Sequence, residues 1–238
     1  MRLDKFLCDM QLGTRNQVKE YIRKGTVSVN DMIIKKPDFK LDEKKDAVAY
    51  LGKLLAYQST YYYMLHKPAG VVTATSDNQD KTVMDLLTNA AGKDLFPVGR
   101  LDKDTEGLLL ITNDGELAHN LLSPKKHVAK TYYVECIGNI NAEKIKSLET
   151  GVDIGDNALT LPAKVELLSQ TDSAYTIKLT ITEGRFHQVK RMVEAVGGCV
   201  TYLKRLSMGS LTLDKTLPKG AYRPLTEQEI MDLTSYNN

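Results

Sequence analysis

Seven short runs carry the β-branched and aromatic residues typical of strands: "YYYMLHK", "GVVTAT", "GLLLIT", "KTYYVECIG", "AKVELLS", "AYTIKLTIT" and "CVTYLKR". The segments between them do not recur at a regular βαβ interval. That irregular spacing predicts a mainly antiparallel central sheet flanked by helices, an α+β body. Helical patterns fall at "TVMDLLTNA", "GELAHNLL", "NAEKIKSLETG", "HQVKRMVEAVG" and "TEQEIMDLTS", and in the last of these Thr226 and Glu229 have capping-box spacing. "FPVGR" reads as a further strand segment.

Ahead of this body, "RLDKFLCDMQLG" puts Leu3, Phe6, Leu7 and Met10 on one helical face, with Gly13 as its stop. A second helix follows, capped by Thr14 and striped by Val18, Tyr21 and Ile22. "VSVND" and "MIIKK" read as two strands about an Asn-Asp turn and "DAVAYL" as another, while "GKLLAYQST" reads as a connection. Two domains are therefore expected, 1–58 with its linker and 59–238.

With 238 residues, 42% of them hydrophobic, the chain can build a proper core. It has no apolar run near the ~20 residues of a membrane span, and "MRLDKFLCDM" lacks a signal-peptide layout. A cytoplasmic, membrane-free monomer is the expectation. Cys8, Cys136 and Cys199 form no close pair and read as buried, reduced thiols. His66, His119, His127 and His187 lack ligand spacing, so neither a metal nor a cofactor is expected.

Net charge is only +2, but residues 1–41 hold nine Lys or Arg against five acids, a local net of +4. Arg15, Lys19, Arg23 and Lys24 lie largely off the apolar stripe of the second helix. They read either as RNA contacts or as a solvated helix face.

"GRLDKDTEGLLLITNDGE", Gly99 to Glu116, places Asp102, Asp104 and Glu106 at alternate positions before an apolar run. A calcium loop is excluded, because its template needs a bidentate Glu at position twelve and Asn113 stands there. Two readings of Asp102 remain: a turn residue bonding its own backbone, which the pattern alone favours, or a working carboxylate displayed on a loop beside a rigid sheet.

This stretch resembles the catalytic signature of the RNA pseudouridine synthases, G-R-L-D-x-x-T-x-G-L-L-x-x-T-N-D-G. "MLHKPAGVV", "KTYYV" and "EGRFHQVKRMVEAVG" resemble the family's other segments in the same order. The N-terminal module resembles the small RNA-binding domain named after ribosomal protein S-four. Order and spacing look most like the 16S (small-subunit) rRNA branch; a 23S target and a non-catalytic ribosome-assembly factor are the alternatives. His66 departs from the family, which usually has Asn before Lys-Pro.

The resemblance implies conversion of uridine to pseudouridine in ribosomal RNA or a small-subunit assembly particle, after the base is flipped from its stack. Asp102 becomes the essential carboxylate, Arg185 its candidate guanidinium partner, and Tyr132 the stacking platform, with Tyr133 on the opposite strand face. Arg100 is expected to displace the base or contact phosphate, and Lys190 and Arg191 to contact RNA. Asp104 and Glu106 are expected to be loop bystanders, and Asn113 to Gly115 a tight turn.

Overall fold

The computed structural model describes residues 1–42, 45–55 and 60–236. The chain divides into two compact units, Met1–Thr60 with Ala91–Lys93, and Tyr61–Ala90 with Asp94–Asn238. The predicted boundary at 58/59 lies outside the described residues.

In the N-terminal unit, α1 (Leu3–Asp9) and α2 (Arg15–Arg23) pack with strands β1 (Val27–Val29), β2 (Met32–Ile33), β3 (Val48–Tyr50) and β4 (Lys53–Leu55). The antiparallel sheet runs β2-β1-β3-β4. Helix α1 ends at Asp9, four residues before the Gly13 expected to stop it, because Gln11 turns into the left-handed region. The Thr14 hydroxyl accepts from the Gln17 amide and the Gln17 side chain accepts from the Thr14 amide, a capping box that fixes the start of α2. Val18 and Ile22, four apart and fully buried, face Leu3, Phe6 and Leu7; burying each stabilises the unit by about 1.5–3 kcal/mol.

Asn30 and Asp31 both take positive φ, which matches the twist of the β1–β2 hairpin. Lys53–Leu55, expected to be connection, instead extends the sheet through a second such turn at Leu51 and Gly52. The rest of that expected connection, 56–59, lies outside the described residues.

The larger unit contains β5 (Tyr62–Lys67), β6 (Phe96–Pro97), β7 (Glu106–Thr112), α3 (Gly115–Leu122), β8 (Lys130–Ile137), α4 (Ala142–Thr150), β9 (Lys164–Gln170) and β10 (Ala174–Ile181). It continues with α5 (Gln188–Ala195), β11 (Cys199–Met208), β12 (Leu211–Thr212), β13 (Tyr222–Pro224) and α6 (Glu227–Ser235). The sheet order is β13-β5-β7-β11-β8-β10-β9, with β6 on β7 and β12 on β11. Every pairing is antiparallel except β7 with β11, the joint between the two halves.

At that joint Gly107 stands opposite Arg205 with φ +109°, and a Cβ there would strike the Arg205 backbone. The signature's second glycine is thus required by strand approach. Leu108 and Leu110 pack with Leu117, Leu121 and Leu233, while the alternating Leu109 and Ile111 pack with Tyr63, Val71 and Val83. Helices α4 and α5 bury Leu148, Val189, Met192 and Val193 against Val134, Ile177 and Leu179.

Several expectations are corrected. "GVVTAT" forms no strand, only an isolated bridge between Val72 and Thr82. "TVMDLLTNA" forms a single 3-10 turn, Met84–Leu86, where the Asp85 carboxylate takes the Thr82 amide and hydroxyl. Asn113 to Gly115 is a helix entry, with Asp114 accepting from the Leu117 amide to cap α3. Of the cysteines, Cys136 is buried, Cys8 half-buried and Cys199 exposed.

Candidate active site

The loop joining β6 to β7 carries Asp102, and a lysine underneath fixes its path. Lys67, at the end of β5, is fully buried, and its ammonium donates to the carbonyls of Thr105 (2.8 Å), Asp102 (3.0 Å), Pro68 (3.1 Å) and Lys103 (3.4 Å). Burial pushes this amine down to about 8. Thr73 adds a second anchor: its hydroxyl donates to the Leu101 carbonyl (2.8 Å) and accepts from the Leu101 amide (3.2 Å).

The Asp102 carboxylate, with a quarter of its side-chain surface exposed, meets the first turn of α5. Lys190 Nζ lies 3.1 Å from one oxygen and His187 Nε2 3.5 Å from the other. Residues three apart share a helix face, which is why His187 and Lys190 arrive together. His187 caps α5 in the left-handed conformation, at φ 49° and ψ 31°.

Lys190 also donates to both oxygens of Asp104, at 2.7 and 2.9 Å. Burial works against its charge, but hydrogen bonds to Asp104 and Asp102 outweigh it and hold the ammonium above the ordinary lysine range. The same hydrogen bond keeps the Asp104 carboxyl below its usual range.

These residues border a cleft of about 940 Å³ whose lining includes Tyr132, Lys130, Arg205, Ile181 and Leu203. Tyr132 is buried on β8, directly opposite Arg205 of β11 and Leu179 of β10. Tyr133 is absent from the cleft, as strand alternation requires; its hydroxyl donates to Glu135 (3.0 Å) and its ring meets Tyr202 edge-on. Arg100 is exposed and lines the cleft.

Arg185 is not the partner of Asp102. Its guanidinium donates to Glu183 (3.0 Å) and to the carbonyls of Ala158 and Leu159 (2.7 Å each), so it ties down the loop ahead of β9. Arg191, expected to contact RNA, donates to the carbonyls of Phe186 and Ile154 and to Asp156. Lys190, expected in the same role, is the charge that faces Asp102.

Neither remaining acid of the stretch is a bystander. Asp104 holds Lys190, while Glu106 is buried at the start of β7 and accepts from the Tyr202 hydroxyl (2.6 Å) and Lys219 (2.7 Å). His66, the departure from the family pattern, is buried, with Nδ1 2.7 Å from the Leu217 carbonyl; burial lowers its pKa.

On α2 of the N-terminal unit Arg15 and Arg23 are exposed and Lys19 is half-buried; Lys24, the residue that ends the helix, is exposed and pairs with Glu20 at 2.7 Å. No group of three or more His, Cys, Asp or Glu among the described residues is gathered closely enough to hold a metal ion. No described helix is long and apolar enough to cross a membrane.

Residues 61–195 match the family model for RNA pseudouridylate synthase, and residues 1–48 the S4 domain. The chain is 48% identical to the uncharacterized RNA pseudouridine synthase YtzG of Bacillus subtilis, over 97% of both chains. It is 42% identical to ribosomal small subunit pseudouridine synthase A of Vibrio cholerae, over 98% of this chain and 99% of that one. The protein of that name from Escherichia coli is also 42% identical, over 97% and 98%. A crystal structure of a pseudouridylate synthase aligns with TM-score 0.68 at 37% identity, covering 98% of this chain and 99% of the other. Sequence, fold and cleft agree that the chain belongs to the RNA pseudouridylate synthase family, with an S4 domain at its N-terminus.

Proposed function

We propose that this chain isomerises a uridine of 16S (small-subunit) rRNA to pseudouridine, with Asp102 as the essential carboxylate. The observation that carries the reading is the setting of Asp102. It borders the 940 Å³ cleft beside Tyr132, on a loop tied to the buried Lys67, with the Lys190 ammonium 3.1 Å away. The relatives named for the small ribosomal subunit support the target.

A flipped uridine enters the cleft and its ring stacks on Tyr132, worth about 1–3 kcal/mol in comparable single-strand sites. Asp102 then either attacks C1′ of the ribose or takes the proton from C2′. Both routes need an anion, and Lys190, rather than Arg185, supplies the neighbouring positive charge. Arg185 and Arg191 serve by holding the loop beside α5. Arg100 meets phosphate or the displaced base, and Arg15, Lys19, Arg23 and Lys24 meet backbone phosphates.

The working unit is a cytoplasmic monomer divided at 58/59, acting on free rRNA or on a small-subunit assembly particle. The test is pseudouridine mapping after incubating wild type and Asp102→Asn with rRNA of both subunits. Wild type should modify 16S rRNA and Asp102→Asn should form no pseudouridine. Turnover by the variant would remove Asp102 from its role, and modification confined to 23S rRNA would reassign the target.

A further inference from the structure

Lys130 and Arg205 line the cleft beside Tyr132, and each is more than nine-tenths buried, at 8% and 2% exposure. Lys130 Nζ donates to the Val128 carbonyl (2.9 Å) and Arg205 Nε to the Leu108 carbonyl (2.8 Å), while Arg205 Nη2 has no partner among the described residues. Neither cation forms an ion pair with a carboxylate among the described residues. The charge felt most at Lys130 is that of Arg205, and burial together with this repulsion pushes its amine down to about 8. Two buried like charges without a counterion cost stability, so an electron-rich ligand is what would offset them.

The strand register says where such a ligand would sit. Arg205 stands directly opposite Tyr132, and Lys130 lies two residues before Tyr132 on the same face of β8. A ring stacked on Tyr132 would have both cations beside its edge.

We infer that Lys130 and Arg205 form a cationic floor that binds the uracil anion released when the glycosidic bond breaks. This rests on the reading of the cleft as the site of uridine isomerisation. When C1′–N1 breaks, its electron pair stays on the uracil, giving a ring anion delocalised over N1, O2 and O4. C1′ meanwhile either bonds to an Asp102 oxygen or, once Asp102 has taken the C2′ proton, forms a double bond to C2′. The ring turns and C5 bonds to C1′, either as the Asp102–C1′ bond breaks or, on the other route, as Asp102 returns its proton to C2′; the C5 proton then leaves and N1 gains one, so Asp102 is regenerated as a carboxylate and the product is neutral and isomeric with the substrate. Fixed donors aimed at charge that develops during the reaction act most strongly where water is excluded.

The test is binding of three probes to the full-length wild-type chain by calorimetry: uracil, 5-nitrouracil, which is a ring anion at neutral pH, and inorganic phosphate. The anionic ring should bind about ten- to hundred-fold more tightly than uracil, the range a charge-assisted hydrogen bond supplies. Lowering the pH until 5-nitrouracil is neutral should erase the difference. Lys130→Met should shrink the preference and Lys130→Arg should keep it. Equal affinities for uracil and 5-nitrouracil overturn the inference, as does phosphate binding that displaces no 5-nitrouracil while the two rings bind alike. The wild-type comparison decides even if a buried variant fails to fold. Activity of Asp102→Asn is read separately, so failure of the anion floor and failure of the catalytic assignment remain distinguishable.

Discussion

Replacing Lys67 by Met tests whether one buried ammonium holds the loop that carries Asp102. Methionine fills most of the volume but donates nothing, so the three carbonyls at 2.8–3.1 Å, those of Thr105, Asp102 and Pro68, lose their donor. Each carbonyl left unpaired costs about 1–3 kcal/mol. Against this, the variant no longer buries a charge. The amine's fall from 10.5 to about 8 corresponds to roughly 3 kcal/mol relieved, at about 1.4 kcal/mol per pKa unit. With the three carbonyls taken at mid-range, about 2 kcal/mol each, the net loss is about 3 kcal/mol, which lowers the melting temperature by about 6–12 °C in a chain of this size.

If Asp102 is the essential carboxylate proposed above, turnover should fall much further, by about a hundred-fold or more, because a displacement of about 1 Å at a reacting group costs that much. RNA affinity, set elsewhere, should change little. The pH dependence has a definite sign. Between about pH 8 and 10.5 the unfolded chain keeps the Lys67 proton that the folded chain has released, so folding gains stability as pH rises. The stability difference between wild type and variant should widen across that window. Thermal unfolding at pH 7.5 and 9.5, with single-turnover isomerisation of rRNA, makes the measurement. A variant that melts lower yet turns over at the wild-type rate would show that Lys67 stabilises the fold without positioning Asp102.

Lys190→Met should reduce single-turnover isomerisation about ten- to hundred-fold, whereas Arg185→Met should chiefly lower the melting temperature by releasing the loop at Ala158 and Leu159; the opposite pattern would restore Arg185 as the charge beside Asp102. Replacing Arg15, Lys19, Arg23 and Lys24 by Ala should flatten the log-log salt dependence of rRNA binding by roughly 0.7–0.9 for each phosphate that is no longer neutralised, with Lys24, already paired to Glu20, contributing least. An unchanged slope in titrations at several salt concentrations would make α2 a solvated face.

Where local chemistry decides structure, the chain is legible. Thr14 and Thr226 begin helices because each has a Gln or Glu three residues on, and the strands from Tyr62 to Lys67 and from Lys130 to Ile137 follow from aromatic and β-branched runs. The stretch from Gly70 to Ala90 is not legible in this way. Val71, Val83 and Leu87 are buried, but they are buried by an irregular segment, and an apolar run has the same composition whether it pairs or not. The strand Lys53–Leu55 is missed because Leu51, not a turn-forming residue by composition, takes positive φ beside Gly52.

The site divides along the same line, between what a residue type announces and what only burial reveals. Asp102 and Tyr132 stand in motifs whose composition is unusual, but Lys67, Lys130 and Arg205 each occupy a strand position where a charged residue ordinarily reads as solvent-facing. For two of them the partners are distant in sequence: the Lys67 ammonium meets carbonyls 35 to 38 residues away, and Arg205 meets Leu108 across the parallel joint. No spacing along the chain encodes those meetings. The Asp102 partner is an intermediate case. His187 and Lys190 stand one helical turn apart at the entry to α5, so once that helix start is placed, Lys190 can reach the carboxylate and Arg185, outside the helix, binds the loop carbonyls instead. The motif residues of the cleft are therefore legible in short stretches, while its electrostatics are set by which strands and loops meet, as where Lys67 reaches the loop carbonyls and Arg205 reaches Leu108.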